Sequence, residues 1–142
     1  MWEKIVKGAA AAVGAVAGFW GGLPVLLQTM AVFMAVDYLT GLICALKGVS
    51  GKSENGALSS KAGFEGLLKK GVMVLVVFIA WQLDQAMGTA VLHNAVVCFY
   101  VANEGISILE NTTLLGVPWP EKLRDALDAI GNGDGGEPPM TA

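Results

Sequence analysis

Charge is what this sequence has least of: 15% of its 142 residues are Asp, Glu, Lys or Arg, where an ordinary soluble domain carries about 25%. With 54% hydrophobic residues and a mean hydropathy of +0.60, such a chain does not suit a water-facing globule. Histidine occurs once, at His93, and cysteine twice, at Cys44 and Cys98, each within an apolar stretch. That argues against a His/Cys metal cluster and against a secreted disulfide framework, and leaves the cysteines as small apolar fillers. There is no Gly-x-Ser-x-Gly elbow, no phosphate loop, and no basic patch interleaved with aromatics. The chain is therefore expected to be no enzyme, to need no cofactor or metal, and to have no nucleic-acid partner.

What the sequence has in quantity is long apolar runs. Four of them approach the roughly 20 residues that cross hydrocarbon as a helix, so the expected class is an all-α integral membrane protein. It should have about four transmembrane helices and a short C-terminal amphipathic helix. The spans are placed at about 5–22, 24–46, 70–88 and 90–110, within a transmembrane helical domain of residues 1–116. Gly21-Gly22-Leu23-Pro24 is a turn signal, and proline is tolerated in the first turn of the following helix. Lys47-Gly48 closes the second span with a cation and then a glycine. Ser59 or Ser60 is suited to cap the third helix, and Gly88-Thr89 turns the chain into the fourth. Beyond Pro118-Trp119-Pro120, Leu123, Ala126, Leu127 and Ile130 share one face of a short helix over 117–131. That helix is expected to rest on the membrane surface or on a partner subunit. Residues 132–142 lack apolar periodicity and are expected to be disordered. Lys4, Lys7 and the alanines after them imitate a secretory signal, but 14–22 continues without a cleavage stop and more spans follow.

All nine Lys and Arg fall at three places. They are Lys4 and Lys7; Lys47, Lys52, Lys61, Lys69 and Lys70; and Lys122 and Arg124. With four spans these places share one side, and the two opposite turns carry no cation. Lys47, Lys61, Lys69 and Lys70 thus read as cytoplasmic topology determinants, with loop 47–69 and both termini in the cytoplasm. A three-span arrangement would strand Lys4 and Lys7. In the first block, Ala10, Gly14, Gly18 and Gly22 recur every fourth residue, a small-xxx-small stripe that lets helices approach closely in lipid. Gly14, Gly18 and Gly22 are the candidate helix-packing glycines, either between copies or within one subunit.

Four carboxylates lie within or near the spans. Asp84 and Glu110 are expected near the interfaces, where ionisation costs little, so Asp84→Asn should be mild. Asp37 and Glu104 lie 13 and 14 residues from the outer ends of their helices, roughly 20 Å down. A carboxylate facing lipid there costs about 2.5–3.5 kcal/mol or more, so both should face protein or water. Asp37, Thr40, Gly41 and Cys44 form one stripe; Tyr100, Asn103, Glu104, Ser107 and Asn111 form another. Asp37, Thr40, Gly41, Asn103, Glu104 and Ser107 are the candidate intramembrane polar face, for a pore or for assembly. The two carboxylates either approach and share a proton or accept hydrogen bonds from hydroxyls and amides in a packed bundle.

These residues lie in recognisable strings: DYLTG from Asp37, LSSK from Leu58, GLLKK from Gly66, YVANEGISILEN from Tyr100, GVP from Gly116 and PEKL from Pro120. As an ordered set over roughly residues 30–130 they resemble the phage holins of the toxin secretion and phage lysis family, phage holin family 4. The resemblance implies a protein that accumulates in the bacterial inner membrane and oligomerises into lesions that depolarise it. Endolysin then escapes and the host lyses. The implied partners are membrane lipids, further copies of the chain itself, and endolysin as released cargo. The Ala/Gly-rich first block and the Gly-rich acidic tail depart from the family pattern. The intramembrane carboxylates alone also suit a small ion or proton channel or transporter, and the amphipathic 117–131 helix alone suits a membrane scaffold.

Overall fold

Helix starts and stops follow the local signals in the computed structural model, which describes residues 1–132. Five helices are present: α1 Trp2–Gly22, α2 Val25–Leu46, α3 Ser60–Met87, α4 Val91–Leu114 and α5 Glu121–Gly131. Among the described residues there is no strand. Pro24 occupies the N-cap of α2, and the Gln28 side-chain amide reaches back to donate to the Trp20 and Leu23 carbonyls at 3.0 and 2.9 Å. The exposed end of α1 is thereby tied to the start of α2. Ser59 caps α3, its hydroxyl accepting from the Ala62 amide at 3.3 Å. Gly88 ends α3 with φ +67°, the left-handed conformation that glycine adopts without a Cβ clash.

The fold class is as expected: α1 to α4 are each long and apolar enough to cross a membrane, and α5 is the short C-terminal helix. The third helix differs at its start. It begins at Ser60 behind the expected Ser59 cap, ten residues ahead of the span placed from residue 70, because the apolar run begins only at Gly71. The tail expected to be disordered lies, from residue 133 onward, outside the described residues.

Helix α4 is central, touching α2, α3 and α5. The core is a layer of Met30 and Met34 from α2, Met73 and Val77 from α3, and Val97 and Val101 from α4. Three flexible thioethers fill the irregular space between helices there. Facing away from this layer, Val74, Leu75, Phe78 and Ile79 of α3 are all exposed. In water that surface would be an aggregation liability, whereas in hydrocarbon it is the solvated side. Helix α1 buries none of its residues, and a side chain added at Gly14, Gly18 or Gly22 would meet nothing within 4 Å. Among the described residues, the glycine stripe therefore packs on nothing in its own chain.

Helix α5, expected on the membrane surface or on a partner subunit, packs onto α4 of its own chain. The reason is a notch at Gly105. Leu127 is 5% exposed and fills it, so closely that a Cβ at position 105 would lie 2.5 and 2.8 Å from the Leu127 methyl groups. Gly131 likewise approaches the Ala102 methyl, and Ile130 reaches the methionine layer. Gly105→Leu is expected to lift α5 away at a cost of about 1–3 kcal/mol of overpacking strain. Protease sensitivity in the 117–131 segment should rise with it; unchanged sensitivity would mean that the notch does not hold the helix.

Candidate functional site

One helical turn beyond the methionine layer, the interior becomes polar. Asp37 follows Met34 by three residues, Glu104 follows Val101 by three, and Lys70 precedes Met73 by three. All three thus project on the same inward faces, one level further along the bundle. Lys70 Nζ sits between the two carboxylates, donating to Asp37 Oδ2 at 2.8 Å and to Glu104 Oε2. Side-chain exposure is 13% at Lys70, 6% at Asp37 and 4% at Glu104, so the ions are nearly dry. Lys52, from the connection after α2, reaches in to Asp37 Oδ1 at 3.1 Å and donates to Ser107 Oγ at 3.0 Å.

The neutral partners complete the layer. Asn111 Nδ2 donates to Asp37 Oδ1 at 3.2 Å and to Thr40 Oγ1 at 3.0 Å, while Thr40 donates back to the Val36 carbonyl at 2.9 Å. The Cys44 thiol donates to the Asn111 carbonyl at 3.3 Å. Gly41 keeps this corner open, since the Asn111 amide and the Lys52 ammonium lie 3.6 and 3.7 Å from where its Cβ would be. Among the described residues no buried side-chain nitrogen or oxygen lacks a partner. Two carboxylates and two ammonium groups leave the layer neutral. Such a network is not strongly stabilising overall, but removing one member strands a dry charge at about 3–5 kcal/mol.

The structure brings together Asp37, Thr40, Gly41, Glu104 and Ser107 of the candidate face. Asn103 is exposed and lines the cavity beside them. Two expectations change. Lys70, expected at the membrane edge, points inward as the counter-ion for both carboxylates. Its ammonium stands between the two carboxylates, which approach one another through it. Lys47, Lys61 and Lys69 do stay exposed. Lys52 and Asn111 were missed as members. Asn111 had its stripe position as a signal, whereas Lys52 lies in a Gly/Ser-rich connection with no periodicity to place it.

Asp84 is the second change. It is fully buried rather than an exposed charge near the helix end. Its carboxylate accepts from the Leu92 and His93 amides at 3.1 and 2.8 Å, from Thr89 Oγ1 at 2.5 Å, and meets His93 Nδ1 at 2.7 Å. The α4 N-terminus exposes amides without helical partners, and Ala90 at its N-cap offers no side-chain acceptor. A carboxylate delivered from α3 performs the capping instead.

Among the described residues no group of His, Cys, Asp and Glu could hold a metal ion. A model described as the bacteriophage holin family matches residues 14–132. An uncharacterized 14.9 kDa protein of Clostridium perfringens is 43% identical over 115 residues, 80% of this chain and 82% of that protein. An uncharacterized protein of Listeria monocytogenes is 38% identical over 130 residues, 88% of this chain and 86% of that protein. A probable holin of Bacillus phage phi105 is 37% identical over 105 residues, 73% of each chain. No solved structure matches. The family match runs through α2, α3, α4 and α5, taking in every residue of the ionic layer, and this multi-pass membrane chain belongs to the bacteriophage holin family.

Proposed function

We propose that the chain accumulates in the bacterial inner membrane with both termini in the cytoplasm, then assembles from many copies into lesions that depolarise the membrane. Endolysin passes through these lesions and host cell lysis follows. The observation that carries this proposal is the neutral polar layer of Asp37, Lys70, Glu104 and Lys52, held behind lipid-facing helices. A single subunit presents apolar side chains to lipid and is tolerated by the membrane. In an assembly, separation of α2, α3 and α4 would turn Asp37, Thr40, Gly41, Asn103, Glu104 and Ser107 toward water. Hydration of the released charges offsets the lost ion pairs, so the opened form becomes accessible once copy-to-copy packing holds it.

The unpartnered α1 supports self-association through Gly14, Gly18 and Gly22. Gly14→Leu together with Gly18→Leu is expected to weaken self-association in a membrane reporter assay at least fivefold, about 1 kcal/mol. Unchanged association would remove α1 from the assembly interface. The exposed Lys47, Lys61 and Lys69 support a cytoplasmic 47–59 connection.

Expression alone should stop growth, collapse the membrane potential abruptly and release a co-expressed cytoplasmic endolysin. Failure to complement a holin-defective phage would overturn the proposal. The ion-channel alternative draws on the cavity that reaches Asp37, Lys70 and Glu104. A channel would carry ions at a steady rate while the endolysin stayed inside.

A further inference from the structure

On the side of the bundle that carries the 47–59 connection, α2, α3 and α4 part around a cavity of about 420 Å³, within the ~300–1,000 Å³ range of ligand pockets. Asp37, Lys70 and Glu104 line it, but their charges are already committed to one another. Two other charged lining residues form no ion pair among the described residues: Lys69 of α3 and Glu110 of α4. Both are exposed. The lining is therefore balanced, with Lys52, Lys69 and Lys70 against Asp37, Glu104 and Glu110, and its free valences are one cation and one anion.

Leu42 and Ile106 line the same cavity and remain 38% and 46% exposed. Their apolar surface continues from the charged interior to the outside of the bundle, where lipid would lie. The complementary ligand thus joins an anionic group, a cationic group and an apolar portion. A simple anion would satisfy Lys69 alone, and a net-anionic lipid would find no excess positive charge to attract it. The cation should carry N–H donors, because Glu110 accepts hydrogen bonds. A quaternary ammonium is instead held by an aromatic cage, and among the described residues Tyr38 is the one aromatic side chain lining this cavity.

We infer that the cavity binds the headgroup of a zwitterionic phospholipid of the phosphoethanolamine class. Lys69 takes the phosphate, Glu110 takes the primary ammonium, and the acyl chains leave past Leu42 and Ile106. The inference needs α2 to α4 to span the membrane but does not need lesion formation.

The test uses the full chain in vesicles of equal phosphatidylethanolamine, phosphatidylcholine and phosphatidylglycerol, extracted gently and read by native mass spectrometry for retained lipid. Phosphatidylethanolamine should be retained over the other two by about tenfold, the scale of one charge-assisted hydrogen-bonded contact. Lys69→Ala should lower its retention about tenfold. Glu110→Gln should leave lipid bound but erase the preference for ethanolamine over glycerol. Lys61→Ala, on the same helix and outside the cavity, should change nothing. No preference in the wild-type chain, an equal loss with Lys61→Ala, or displacement of the lipid by equimolar free phosphoethanolamine would each overturn the lipid site. Normal lysis timing without lipid retention would remove this site and leave the holin proposal standing; intact retention without lysis would do the reverse.

Discussion

Lys70→Met is expected to bring depolarisation forward in time at matched expression and to destabilise the detergent-solubilised protein by about 3–5 kcal/mol. The substitution keeps the length of the side chain and removes the ammonium that joins Asp37 and Glu104. Lys52 still pairs with Asp37 at 3.1 Å, but its own side chain is half exposed and it does not reach Glu104. Glu104, 4% exposed, is then left as a dry unpaired charge next to a second carboxylate. Reaching water relieves it, and that route separates the helices along the proposed opening path. Lys70→Arg should retain most of the stability, since a guanidinium also serves two carboxylates. Adding Glu104→Gln to Lys70→Met should recover part of the loss, a coupling that a double-mutant cycle in melting experiments would measure. A Lys70→Met protein that melts within about 0.5 kcal/mol of the parent, as ordinary surface substitutions do, would show that the layer does not hold the bundle closed.

Asp84→Ala is expected to lower the apparent melting temperature in micelles by about 10 °C, through the loss of a helix cap and its side-chain partners. The four groups aimed at the carboxylate, two amides, the Thr89 hydroxyl and His93 Nδ1, lose their acceptor together. Amide exchange should accelerate first at the α3–α4 turn. Asp84→Asn should do the same to a smaller degree, since one amide oxygen remains to accept. This reverses the expectation drawn from position alone, under which a carboxylate near a membrane edge is cheap to replace. The two aspartates should also differ in kind. Loss of the Asp84 cap reduces how much folded chain accumulates, whereas Asp37→Asn alters when the accumulated chain depolarises the membrane. Quantitative blots beside potential-sensitive dye traces separate the two; equal accumulation of Asp84→Ala and parent would refute the capping role.

The legible and the hidden parts of this protein divide by the range of the interactions involved. Helix number, the Pro24 start, the Ser59 cap and the Gly88 stop were readable because each depends on residues within a few positions. The meeting of Asp37 and Glu104 was readable at the level of depth, since helical rise converts residue count into distance. Their counter-ion was not. Lys70 looks like any basic residue that precedes an apolar run, and only the packing of α3 against α2 and α4 turns it inward. Lys52 enters from an irregular connection, where no period predicts direction. Asp84 was misplaced for a related reason: a cap supplied by the preceding helix depends on how the α3–α4 turn closes, and hydropathy is silent on that. The docking of α5 depended on a notch, and a single glycine in a helix such as Gly105 signals a close approach without naming what approaches.

The fold-back of α5 sets where the chain tolerates a cut. Removing everything after Val117 would look, by hydropathy, like trimming a soluble appendage from an intact membrane domain. It would in fact take Leu127 out of the Gly105 notch and Ile130 off the methionine layer, leaving Ala102 and Gly105 bare on α4. A C-terminal reporter or affinity tag is best joined after residue 132, with α5 retained, and a deletion ending inside 117–131 tests the stability of the bundle as much as the role of the tail.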